Sequence, residues 1–263
     1  MSNFIGKSPI ISVMANACYS ASKYLRRDFN EISFLKVSYK GANDFVTSAD
    51  HKAADTIITS LLRTNPSYGI ICEEKKVVET NSSYSWVIDP LDGTRNFIHN
   101  LPYWGISIAL IRHIDEDNYE TEAAVFYDPL REEMFWAEKS LGAFMNDRRI
   151  SVSKRSALSS SIFATGFTTM QDCESAKILS SRVRRLGSNT MHFAYVAAGR
   201  FDAAWEHVDS VWDIAVGQFL IEKAKGVLTD FDDTVYKNQE FVLASNGLIH
   251  PQIIKHLKVE DRS

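Results

Sequence analysis

The chain has 263 residues, 45% of them hydrophobic and 24% charged, with a net charge of −4 at neutral pH. That balance suits a globular protein with a sizeable core. It supplies no general positive field for holding nucleic acid or anionic lipid, so such a partner would need a local patch. No apolar run reaches the length of a membrane span or a signal-peptide core. The three cysteines, Cys18, Cys72 and Cys173, are far apart and form no C-x-x-C pair, which predicts reduced thiols and a cytoplasmic protein.

Ile11, Met14, Cys18, Ala21, Leu25 and Phe29 recur at steps of three and four and predict a long amphipathic helix. A second helix is predicted at about 49–62, with Ala53, Ala54, Ile57, Ile58, Leu61 and Leu62 on its inner side. The period then changes. Short apolar runs at 69–72, 85–89, 104–112, 123–127 and 133–137 predict strands of one sheet. After Gly142 the signals alternate: a helix near 190–198 stopped by Gly199, a strand FDAAWE, and a helix from about Trp212 stopped by Gly226. Repeats, low-complexity tracts and long linkers are missing, so the expectation is a layered α/β or α+β architecture. Its division falls near residue 147, giving an N-terminal half of 1–147 and a C-terminal half of 148–263.

The stretch WVIDPLDGTRNF at 86–97 concentrates chemistry, because an apolar strand ends in two carboxylates, Asp89 and Asp92, around a turn-forming Pro90. Gly93 and Thr94 follow and can aim backbone N–H groups at an anion just beyond the acids. Two acids in a turn also serve simply as Asx-turn formers. Glu73 and Glu74 close the run GIIC and place the first of them at another strand end, although a Glu-Glu pair is commonly a solvated loop. Asp213 falls in the first turn of an apolar helix, where it suits the helix dipole; beside Trp212 it is also half-buried, and a shared cation would partner it.

Several blocks in the same order resemble the inositol monophosphatase family of the lithium-sensitive, metal-dependent phosphatase superfamily. They are KGANDFVTSAD (40–50), Glu73 with Glu74, IDPLDGTRNFIHNLPYWGISIAL (88–110), GAFMNDRRISVS (142–153), RRLGSNTMHFAYVAAGRFDAAWE (184–206) and WDIAVGQFLIEKAKGV (212–227). The resemblance implies a layered αβαβα sandwich of the inositol monophosphatase and fructose-1,6-bisphosphatase type, usually paired as a homodimer. It also implies two to three Mg²⁺ ions. Glu73, Asp89 and the Leu91 carbonyl would hold one, Asp89, Asp92 and Asp213 a second. All-oxygen donors suit Mg²⁺ rather than zinc, and clustered carboxylates need cations before a phosphate can approach. By the same resemblance Glu73 and Thr94, supported by Asp50, orient and deprotonate the attacking water. Thr47-x-x-Asp50 also fits a capping box. Gly93 and Thr94 would donate to phosphate, and Gly187, Ser188, Asn189 and Glu206, with Asp92, Asp213 and Arg184 nearby, would meet a small phosphorylated polyol such as inositol monophosphate.

The sequence departs from the family pattern at Cys72, where glycine is usual, at Arg95, which adds charge after DGT, at Asn189 and Thr190, and at Lys225, which replaces a glycine. Other phosphatase readings use the same metal residues on histidinol phosphate, a sugar bisphosphate or a nucleotide 3′-phosphate. A reading of another class is a regulatory protein that binds RNA or transcription machinery through Arg182, Arg184, Arg185, Arg148 and Arg149.

Overall fold

The computed structural model describes residues 8–31, 37–41, 44–115, 118–166, 182–237 and 239–257. Cys173 and most of the connection from Gly166 to Arg184 lie outside them.

Helix α1 spans Pro9–Asn30, opened by Ser8, whose side chain accepts the Ile11 amide, and by Pro9 at the first helical position. All six residues of its predicted inner stripe are buried. A two-stranded hairpin, β1 (Val37–Gly41) and β2 (Asp44–Thr47), leads into α2 (Ser48–Leu62). An eight-stranded mixed sheet follows. Its strands are β3 (Gly69–Cys72), β4 (Lys75–Val78), β5 (Tyr84–Asp92), β6 (Gly105–His113), β7 (Tyr119–Asp128), β8 (Glu133–Glu138), β9 (Gly142–Met145) and β10 (Arg148–Arg149), in the order β10-β9-β8-β7-β6-β5-β3-β4. The short helix α3 (Thr94–Ile98) sits between β5 and β6. A five-stranded sheet contains β11 (Phe163–Thr165), β12 (Val183–Arg184), β13 (Ala203–His207), β14 (Val227–Thr229) and β15 (Phe241–Ser245), in the order β12-β11-β13-β15-β14. Helices α4 (Asn189–Ala197) and α5 (Val211–Lys223) join its strands, and α6 (His250–Leu257) follows β15.

Alternation along the strands assigns the layers. In β5, Trp86 and Ile88 pack with α1 and α2, whereas Val87 between them packs with α4 and α5. In the second sheet Ala164 and Ala204 face α4 and α5, while Phe163, Ala203, Trp205 and Leu243 face Ile253 and Ile254 of α6. The layers therefore run α1/α2, eight-stranded sheet, α4/α5, five-stranded sheet, α6. Strands buried on both faces read as continuous apolar runs, which is why their positions were visible in the sequence.

One predicted boundary differs in a way that matters. The strand at 85–89 does not stop at Asp89; β5 continues through Pro90 to Asp92. Its pairing with β6 shifts on the way: Asp89 lies opposite Ser107, and Asp92 opposite Gly105. Three steps along β5 thus match two along β6, so the strand carries one extra residue. Pro90, which has no N–H for a ladder bond, is tolerated at such a bulge. In a regular strand residues 89 and 92 would point to opposite faces; the bulge returns both carboxylates to one side.

Candidate active site

Strand β3 runs parallel to β5 with Cys72 opposite Ile88, so Glu73, the next residue, emerges beside Asp89. The Glu73 amide still donates to the Ile88 carbonyl at 3.2 Å, which holds the turn against β5. Glu74 points elsewhere, buried with Oε2 3.6 Å from His51 Nδ1. Only the first acid of the Glu-Glu pair joins the site. Cys72 is buried and, like Glu73 and Glu74, is not among the residues held at positive φ, so the missing glycine costs no backbone strain. Burial pushes its thiol up to about 11, which leaves it an inert packing residue.

Asp89, 4% exposed, turns Oδ1 back to accept the Leu91 amide at 2.9 Å. Asp92 Oδ2 accepts the Ser188 hydroxyl at 2.7 Å and the Thr190 amide at 3.0 Å, so it occupies the N-terminus of α4, where helix amides favour an anion. Ser188 also caps that helix by accepting the Met191 amide. Its hydroxyl is thus committed to Asp92 and the helix. Asp213 does similar double duty on α5: Oδ2 accepts the Ser210 amide at 3.0 Å while the carboxylate faces the other acids.

The four acids sense one another. Burial pushes the Asp89 carboxyl well up, and Glu73, Asp92 and Asp213 push it further. Asp92 is raised by burial against the opposing bonds from Ser188 and Thr190. Asp213 is pushed up to about 7, first by burial and then by the charges of Asp92 and Glu73. Glu73, Asp89, Asp92 and Asp213 therefore form one electrostatic group gathered from β3, β5 and α5. Among the described residues no three acidic, histidine or cysteine side chains are already closed into a ligation sphere. A hard cation that keeps several waters needs no such closure.

Thr94 stands at the rim of this group. Its hydroxyl lies 3.0 Å from both Asp50 Oδ1 and the Leu91 carbonyl, two acceptors for one hydrogen. Asp50, in the first turn of α2, is 1% exposed, so its carboxylate serves Thr94 rather than solvent; the side chain of Thr47, its capping-box partner in the sequence, is not described. Gly93 takes φ +91°, and a Cβ there would lie 2.7 Å from the Tyr103 carbonyl, so only glycine fits.

Comparison with known proteins places the whole chain in a family. The model of the inositol monophosphatase family matches residues 7–261. The chain belongs to the inositol monophosphatase family. It is 38% identical to an inositol-1-monophosphatase of Caulobacter vibrioides over 93% of this chain and 99% of that one. It is 34% identical to the Nus factor SuhB of Escherichia coli K12, covering 94% and 93%. Its fold matches the crystal structure of the extragenic suppressor protein suhB from Bartonella henselae with a TM-score of 0.89 at 34% identity, covering 95% and 99% of the two chains. The layered sandwich is thus of the inositol monophosphatase and fructose-1,6-bisphosphatase type, and the family is one of phosphatases.

Of the residues expected to meet the alcohol part, Glu206 is fully buried at the end of β13, and Asn189 opens α4 with Nδ2 3.3 Å from the His207 carbonyl. Gly187 is exposed at φ +76°. Arg184 is exposed on the edge strand β12, its guanidinium on the neighbouring Val183 carbonyl at 3.1 Å. Two residues escaped the sequence reading. Asn96 donates from Nδ2 to the carbonyls of Tyr103 (2.6 Å), Leu186 (2.6 Å) and Gly187 (3.2 Å), tying the DGTRNF turn to the loop before α4. Its place inside the recognised block was a signal. His192 bonds to Glu206; it too lies inside a recognised block (184–206), although the apolar pattern of its helix did not single it out.

Proposed function

We propose that the chain is a Mg²⁺-dependent phosphomonoesterase that hydrolyses inositol monophosphate to inositol and phosphate. The observation that carries this reading is the mutually coupled group Glu73, Asp89, Asp92 and Asp213 beside the Asp50–Thr94 hydrogen bond. The donor set fits a hard divalent cation: four carboxylates and a backbone carbonyl, with neither histidine nor thiolate among them. Glu73, Asp89 and the Leu91 carbonyl would hold one ion, and Asp89, Asp92 and Asp213 another, with Glu73 within reach of a third. When bound, the cations supply charge neutralisation and Lewis acidity at the phosphoryl group.

The chain's own residues do the rest. Asp50 accepts the Thr94 hydrogen and so turns the Thr94 lone pairs toward an approaching water. Glu73, half-buried like Asp213, is placed to take a proton from that water as its oxygen bonds to phosphorus and the ester oxygen departs as the alcohol. The amides of Gly93 and Thr94, at the start of α3, would donate to the phosphate. Asp92 is held rigid by Ser188 and Thr190, which keeps the acids on the two halves of the chain in register. By family likeness we extend the proposal to a homodimer, which sedimentation equilibrium tests.

The reading is tested with Mg²⁺ and a panel of esters: inositol monophosphate, histidinol phosphate, a sugar bisphosphate and a nucleotide 3′-phosphate. Inositol monophosphate is expected to be turned over fastest, and an equal or greater rate on another ester overturns the substrate assignment. Asp89→Asn should abolish hydrolysis and weaken Mg²⁺ binding in a calorimetric titration; unchanged affinity contradicts the metal assignment. A regulatory role on RNA or transcription machinery would have to use Arg148, Arg149, Arg182, Arg184 and Arg185. These arginines divide between two sheet edges, Arg148 and Arg149 on β10 and Arg184 on β12 with Arg182 and Arg185 flanking it, and Arg149 is already engaged with the Leu141 carbonyl and the Phe144 ring.

A further inference from the structure

His192 and Glu206 form a buried pair that the hydrolytic machinery above does not use. Both side chains are fully buried, and His192 Nδ1 lies 2.5 Å from Glu206 Oε1. The other ring nitrogen, Nε2, receives the Leu186 amide at 2.9 Å. A backbone N–H can only donate, so Nε2 carries no hydrogen, and the single ring proton must sit on Nδ1, pointing at Glu206. Oε1 is then satisfied. Oε2 is buried, has the Gly166 amide beside it, and makes no hydrogen bond of ordinary geometry among the described residues. Gly166 packs directly against that oxygen: a Cβ there would stand 2.2 Å from Oε2, so any other residue would fill the space beside it. A buried carboxylate oxygen whose one neighbouring donor, the Gly166 amide, is poorly aligned is incompletely satisfied, and a ligand hydroxyl would complete it.

We propose that His192 is a positioning residue for substrate recognition: pinned by the Leu186 amide, it donates to Oε1 and presents Glu206 Oε2 as an acceptor for a hydroxyl of the alcohol part of the substrate. The proposal rests on the polyol-phosphatase reading of the site and deepens it. An oxygen that can only accept selects a group that brings a hydrogen and repels a second phosphate or a carboxylate at that position. The pin also joins two walls of the site, since Leu186 precedes the Gly187–Ser188 turn that holds Asp92.

Two variants separate this from a packing role. His192→Asn keeps an amide N–H at the place of Nδ1 and drops the Leu186 contact. His192→Gln keeps an acceptor at the place of Nε2 and drops the donor to Glu206. Each is assayed with Mg²⁺ on inositol monophosphate and on p-nitrophenyl phosphate, whose alcohol part has no further hydroxyl. The preference for inositol monophosphate, as a ratio of kcat/KM values, should fall about tenfold in His192→Gln, mainly through KM, the size expected for one hydrogen bond. In His192→Asn it should stay within about threefold of wild type. A loss in His192→Asn with none in His192→Gln, or parallel losses on both esters, overturns the proposal. In the metal-free protein, nitrogen NMR of the ring should show Nδ1 protonated and Nε2 bare; the opposite tautomer also overturns it. Should the wild-type protein hydrolyse neither ester, the phosphatase reading itself fails.

Discussion

At the scale of single residues, burial decides what each acid can do. Thr94 and Asp50 make one hydrogen-bonded unit, so Thr94→Ala should lower kcat by about 10²- to 10³-fold while leaving Mg²⁺ affinity nearly unchanged, the share ordinarily carried by proton handling. Steady-state kinetics and calorimetry check the two halves of that expectation. Another buried residue governs stability. His250 bonds through Nδ1 to Ser245 Oγ (2.8 Å) and through Nε2 to Thr229 Oγ1 (2.9 Å), with Asp233 Oδ1 3.5 Å away, and burial lowers its pKa from the ordinary 6.5. An imidazole lowered in this way binds fewer protons folded than unfolded. Its contribution is complete above about pH 6.5 and is lost as the pH falls below that value. His250→Asn should therefore be less stable than wild type at pH 7.5 yet lose less of its melting temperature between pH 6.5 and 5.5; an unchanged slope contradicts the assignment.

At the scale of elements, the ends of helices and strands carry the departures from simple pattern. Helix α5 ends at Lys223, and the residue that turns the chain away from it is Lys225 at φ +67°, a conformation that disfavours a side chain. Lys225→Gly should stabilise the protein by about 1 kcal/mol, seen as a raised denaturant midpoint with an unchanged slope. The lost glycine noted in the sequence is thus a small local cost far from chemistry. The extra residue in β5 works in the other direction: it interrupts a ladder but brings Asp89 and Asp92 to one face. The apolar run and the acids were readable from residues 86–92, but the strand was read as ending at Asp89 because Pro90 is usually a stop. Only the pairing with β6 supplies the hydrogen-bond partners that carry β5 past it.

At the scale of the whole molecule, α4 and α5 share one apolar layer with residues of both sheets, including Val87, Ala109 and Phe126 from the first and Ala164, Ala204 and Val242 from the second. The change of sheet between β10 and β11 divides strands without dividing this middle core, and the charge of Asp92 on β5 acts on Asp213 of α5. Thermal unfolding is therefore expected as one transition, with calorimetric and van't Hoff enthalpies in agreement; two separated transitions contradict it. Periodicity and turn chemistry in the chain alone determined α1, α2, α4 and α5 and the strands β3, β5 to β8 and β13, because these follow from spacing between near neighbours, and the motif blocks carried the family likeness; the other strands and α6 were not read. They also named the four acids, which stand at ends of elements. What tertiary structure decided was which side those ends face and who partners whom: the realigned Asp92 on the α4 amides, Asn96 bridging to Leu186, and the imidazole of His192 aimed at Glu206. Each of those contacts joins residues far apart in the chain or depends on a bulge, and local pattern holds no record of either.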